Sequence, residues 1–136
     1  MRKAFAVLAI AGVLTGVLAV TALGRGSQAA TSASINMTGG PPNFRFQGVP
    51  KDLKAGTVRF TVRNTSTRPN GVLHNFTVLK VGSNGAATKV FASRTLPSGG
   101  RQTLSRRLSA GTYIAICTVG NGFHVAHRMV SGFQVQ

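Results

Sequence analysis

From residue 57 to residue 64 the chain alternates strictly. Val58, Phe60 and Val62 lie on one side, and Thr57, Arg59, Thr61 and Arg63 on the other. That is the period of a strand with one face in a core. The same texture returns along the chain. Residues 72–81 carry Phe76, Val78 and Leu79 and stop at Gly82-Ser83-Asn84-Gly85, and residues 89–96 close at Pro97-Ser98-Gly99-Gly100. Residues 102–108 are expected to turn Leu104 and Leu108 inward and Arg106 outward. Residues 113–119 and 130–135 supply the last two long strands, and 34–37 and 44–46 add short ones near the start. No 3.6-residue apolar period is sustained past the first 30 residues. Seven or so short strands with turn signals between them predict an all-β fold, a two-sheet antiparallel Greek-key β-sandwich.

The first residues break this texture. Arg2 and Lys3 precede an uncharged apolar run over residues 4–23, followed by small and polar residues to Ala30. This order predicts a secretory signal over residues 1–29, cut after Ala29. The domain is then 30–136, with residues 24–34 as linker, of which 30–34 stay with the domain. The apolar run also approaches the ~20 residues that span a bilayer, so the alternative is an uncleaved anchor helix. Either way the domain is expected on the outer side of the membrane, in the periplasm or the extracellular side of the cell envelope.

Charge excludes more than length does. Sixteen Lys and Arg face a single acid, Asp52. One carboxylate cannot make the acid/base pair of a glycosidase or an acidic oxygen cage for calcium or magnesium. Trp is absent and there is one Tyr, so platforms for stacking bases are scarce, and no nucleic-acid partner is expected. Arg59, Arg63, Lys80, Lys89, Arg94, Arg101, Arg106 and Arg107 are expected on outward strand faces. They serve either as a solvated, self-repelling surface or as an attraction for an acidic partner or an anionic polymer.

Cys117 is the only cysteine, so no internal disulfide forms. Alone, it reads either as a small buried hydrophobe or as a metal ligand. The chain has three histidines, His74, His124 and His127, and apart from Met1 two methionines, Met37 and Met129. Cys117, His124, His127 and Met129 crowd into one stretch near the C-terminus, and His74 heads an earlier strand. Two imidazoles, a thiolate and a thioether are the donor set of a trigonal His₂Cys copper site with a weak axial Met.

These residues carry a family resemblance. His-Asn-Phe-Thr-Val at 74–78 resembles the strand of cupredoxins, such as plastocyanin, azurin and auracyanin, that brings in their first histidine. Gly-Thr-Tyr-Ile-Ala-Ile-Cys-Thr-Val at 111–119, then His124, Met129 and Ser-Gly-Phe-Gln-Val at 131–135, resembles their last two strands and ligand loop. Residues 56–64 resemble the strand before the histidine strand, so the likeness spans roughly residues 34–136. The resemblance implies one type 1 copper with His74, Cys117 and His124 as equatorial ligands and Met129 as axial ligand, and gives Asn75 the task of bracing the ligand loop.

Three features depart from the family pattern. Six residues separate Cys117 from His124, a long loop for the family. Arg128 stands where glycine is common. His127 offers a competing imidazole, but with only Arg128 between it and Met129 the two would not reach one metal comfortably, so His124 is the expected ligand and His127 a rim residue.

The expected function is therefore that of a monomeric one-electron carrier, not an enzyme, serving an acidic redox partner. The alternatives are copper delivery or storage, and a cationic sandwich that binds anionic envelope polymers.

Overall fold

The computed structural model describes residues 30–67 and 71–136. The expected signal or anchor at 1–29 lies outside them. Nine strands and one helical turn follow in order: β1 (Thr31–Thr38), β2 (Arg45–Gln47), β3 (Asp52–Leu53), β4 (Gly56–Asn64), β5 (Thr77–Val81), β6 (Ala87–Ala92), β7 (Arg101–Leu108), β8 (Gly111–Ile116), α1 (Phe123–Ala126) and β9 (Val130–Val135). They form a four-stranded sheet, β2-β1-β4-β7, and a five-stranded sheet, β3-β9-β8-β5-β6. The core between them takes alternate residues of each strand: Ile35 and Met37 of β1, Val58, Phe60 and Val62 of β4, Leu104 and Leu108 of β7, and Tyr113 and Ala115 of β8 are all buried.

The two-sheet all-β sandwich is as expected, with several local differences. The sheets are mixed, since β1 pairs with β4 and β3 with β9 in parallel; neither pair is joined by a tight turn, so nothing forces it antiparallel. β1 begins at Thr31, so residues 31–34 are strand and not linker; Ala33 opposite Phe60 already contributes to the core. The histidine strand starts at Thr77, because residues 72–76 leave the ladder and only His74 pairs, in an isolated bridge to Leu96. Correspondingly, β6 ends at Ala92. Arg106 shares the inward side of β7 with Leu104 and Leu108, opposite Val58. On this edge strand its side chain escapes to solvent, with the guanidinium 5.7 Å over the Phe91 ring, a cation–π contact across the rim of the core.

Strand β8 ends one residue before Cys117, and β9 begins one residue after Met129. The chain between them, together with residues 64–67 and 71–76, closes one end of the sandwich.

Candidate metal centre

Three donor atoms meet at that end. His74, Cys117 and His124 are all buried, and one ligand atom from each lies within 4.8 Å of the others. Cys117 Sγ is 3.2 Å from His124 Nδ1 and 3.8 Å from His74 Nδ1. Each partner is held by its own part of the chain. His74 is paired to Leu96 by two backbone hydrogen bonds. Its Nε2 lies 3.0 Å from Ser66 Oγ, and the Ser66 hydroxyl donates to Gly39 O at 3.1 Å. With that hydroxyl's proton committed to Gly39, Nε2 is the protonated nitrogen and Nδ1 turns its lone pair to the thiol, the outer-sphere orientation that fixes a ligand's tautomer. Ser66 in turn donates its N–H to Asn64 Oδ1, while Asn64 Nδ2 donates to Val72 O and Leu96 O. Buried Asn64 at the end of β4 thus ties together the segments that carry Ser66 and His74.

Asn75 braces the cysteine side, as the resemblance implied. Its Nδ2 donates to Thr118 Oγ1 and its Oδ1 accepts the Thr118 N–H, both at 2.8 Å, and its own N–H points to Cys117 Sγ at 3.4 Å.

The long Cys117–His124 loop is absorbed by three left-handed residues, Gly120, Asn121 and Gly122, which turn the chain into the single turn α1. That turn ends in a Schellman motif: Met129 N–H bonds His124 O and Arg128 N–H bonds Val125 O, with Arg128 left-handed at φ 66. The place of Arg128 is one that glycine fills without strain. The motif fixes the backbones of His124 and Met129 to each other, and Cys117 N–H reaches Met129 O at 3.4 Å. Met129 is fully buried. His127 lies outside the cluster, half-buried with its ring 4.3 Å from that of Phe123. Met37 faces the core from β1.

No family model matches the chain, and no curated protein matches it in sequence. Solved structures do. Auracyanin from the photosynthetic bacterium Roseiflexus castenholzii aligns over 79% of this chain and 99% of its own, with TM-score 0.57 and 22% identity. A rusticyanin aligns over 79% of both chains with TM-score 0.58 and 23% identity. The fold is that of a cupredoxin. A multicopper oxidase from Pediococcus acidilactici also matches, over 80% of this chain but 27% of its own, with TM-score 0.53 and 15% identity.

Within this cupredoxin fold the three donor side chains are buried. Burial first, and then the nearby His124, hold His74 far below the usual imidazole range, at about 4, against a raising contribution from its bond to Gly39. Burial likewise lowers His124, with His127 adding to the effect. Both rings therefore offer neutral nitrogens at neutral pH. Burial raises the Cys117 thiol, and the N–H groups of Asn75 and Val119 act the other way. A thiol held protonated by burial, between two neutral imidazoles, suits a thiophilic monovalent cation that takes the proton's place and leaves the buried group neutral. The donor set fits copper in both oxidation states: soft sulfur for Cu(I), imidazole for either.

Two contributors escape a reading of the sequence. Phe44, 3% exposed, stacks on His124 with ring centroids 4.1 Å apart and 22° between planes, and meets His74 edge-on at 5.8 Å. It precedes β2 in an irregular stretch, where no periodicity distinguishes a site aromatic from a core one. Ser66 is also silent in sequence, although Asn64, a polar residue on the inward parity of β4, is a visible sign of a buried hydrogen-bonding hub.

Proposed function

We propose that the protein is an exported one-electron carrier with a type 1 copper centre, His74, Cys117 and His124 binding equatorially and Met129 as the weak axial donor. The observation that carries this reading is the convergence of both imidazole Nδ1 atoms on the buried Cys117 sulfur. Copper bound there would supply the Cu(I)/Cu(II) couple. The residues supply rigidity. Ser66 and Gly39 hold the His74 ring, Phe44 covers the His124 ring, and Asn75 and the Schellman turn fix the two sides of the ligand loop. Donors held this firmly change position little between charge states, which favours fast exchange.

Leu73 and Phe123, 47% and 46% exposed, directly precede His74 and His124. They give a partner an apolar surface next to the donors, and the chain's cations favour an acidic one. A carrier fits better than an enzyme, because the only acid, Asp52, pairs with Gln134 at the end of β9 away from Met129.

Voltammetry of the copper-loaded protein tests the reading. A reversible one-electron wave is expected. An irreversible couple, with copper passing readily to a competing chelator, would favour delivery over electron transfer.

A further inference from the structure

The outer face of the four-stranded sheet is composed differently from the rest of the surface. Register places Ser32, Ser34 and Asn36 of β1 beside Arg59, Thr61 and Arg63 of β4, and Thr57, Arg59, Thr61 and Arg63 opposite Arg107, Ser105, Thr103 and Arg101 of β7. Arg45 of β2 pairs with Thr38 at the sheet's other edge. This face holds five exposed arginines, hydroxyls and amides, and no apolar or acidic side chain. The sequence's only acid lies on the other sheet.

Lysine is excluded from this sheet, which holds six of the eight described arginines, all but Arg94 and Arg128. Lys51 and Lys54 flank β3, Lys80 lies on β5 and Lys89 on β6, so every described lysine belongs to the five-stranded side. Solubility alone does not distinguish the two cations. Bidentate recognition of phosphate does, since only the guanidinium has a planar fork of donors.

A second observation is energetic. Arg63 and Arg101 are directly opposed across β4 and β7. Like charges so placed destabilise a strand pair, and no carboxylate on this sheet relieves them.

We propose that this face binds a linear phosphodiester polyanion. Arg63 and Arg101 form one cationic step. Arg59 and Arg107, four to six residues further along the ladder by register, form a second, about 14–20 Å away at ~3.4 Å per residue. A chain of phosphates running along the strands meets both, with Ser32, Thr61, Thr103 and Ser105 between them as hydrogen-bond donors to its oxygens. The face carries no aromatic for stacking bases and no apolar side chain to enter a lipid layer, so recognition goes through phosphates alone. The face is a different surface from the chain end that carries His74 and His124, and only its Arg63–Arg101 step adjoins that end, through Asn64 and Gly100. The inference does not depend on copper.

The test is binding of the full chain to poly(glycerol phosphate), a phosphodiester chain that carries no bases, over a salt series. Arg63→Gln/Arg101→Gln is compared with Lys51→Gln/Lys89→Gln, which removes equal charge from the other side. The arginine variant should bind roughly tenfold more weakly at low salt, and its slope of log affinity against log salt should fall by about 2, about one per lost phosphate contact. The lysine variant should bind nearly as the parent does. Equal losses in both variants, or no binding by the parent, would overturn the proposal. So would sedimentation with phosphatidylglycerol vesicles at matching affinity and the same arginine dependence, which would assign the face to a membrane surface.

Discussion

Replacing Asn75 by alanine removes the one side chain among the described residues that hydrogen-bonds the His74 segment to the segment following Cys117. Two bonds of 2.8 Å, to Thr118 Oγ1 and from Thr118 N–H, are lost together. Each is worth about 1 kcal/mol net. Thr118 is exposed, so water can take over its freed groups and no large desolvation penalty is added. The expected loss is about 2 kcal/mol, or roughly 10 °C in Tm for a domain of this size. Thr118→Val removes only the hydroxyl partner and should cost about 1 kcal/mol. The two changes share one bond, so the double variant should lose no more than Asn75→Ala alone, a coupling of about 1 kcal/mol. Urea unfolding of the metal-free forms gives all four values. A loss below about 0.5 kcal/mol in Asn75→Ala, or additive effects in the double variant, would refute the view that this pair staples the two segments.

Four further outcomes follow from the same geometry. Metal-free protein should become less stable as pH falls from about 6.5 to about 4. Unfolded His74 takes up a proton in that window while the folded ring, held at about 4 by burial and His124, resists it, a loss of about 3 kcal/mol overall; a flat denaturation midpoint across the window would contradict this. Arg128→Gly should stabilise the fold by about 1 kcal/mol in thermal melts by relieving the left-handed backbone at φ 66, less what glycine adds to the unfolded chain's freedom. Phe44→Ala should cost about 3–5 kcal/mol as a buried aromatic truncation and leave His124 without its stacked cover, visible as a broadened imidazole resonance. Met129→Leu should keep copper bound and raise the reduction potential, since a weak axial donor to Cu(II) is lost while the equatorial donors remain; protein that fails to load under copper excess would refute that.

The sandwich was legible because its cause is periodic. Val58, Phe60 and Val62 bury one side of β4 at the spacing written in the sequence. Where edges and ends intervene, the pattern misleads. Arg106 has the parity of Leu104 and Leu108 but sits on an edge strand, where a long side chain reaches water from the inward side. Residues 31–34, small and polar, read as linker, yet they pair along β4, since backbone bonding asks little of side-chain type. The donor set was legible for a different reason. A single cysteine, two of three histidines and a methionine are scarce residues in a fixed order, and the spacing to Met129 favoured His124 over His127; the structure gathers His74, Cys117 and His124. The surrounding hydrogen bonds were not. The bonds among Ser66, Gly39 and His74 join residues eight to thirty-five apart through ordinary side chains and a backbone carbonyl, and only the closed end of the sandwich brings them together.

The central claim, that Cys117 is a copper thiolate ligand between two imidazoles, is tested most directly by the visible spectrum of the purified protein titrated with Cu(II), alongside Cys117→Ser. The account predicts an intense thiolate-to-copper charge-transfer band that saturates at one copper per chain and is absent in the serine variant. A colourless parent, or a serine variant that keeps the band, would contradict it.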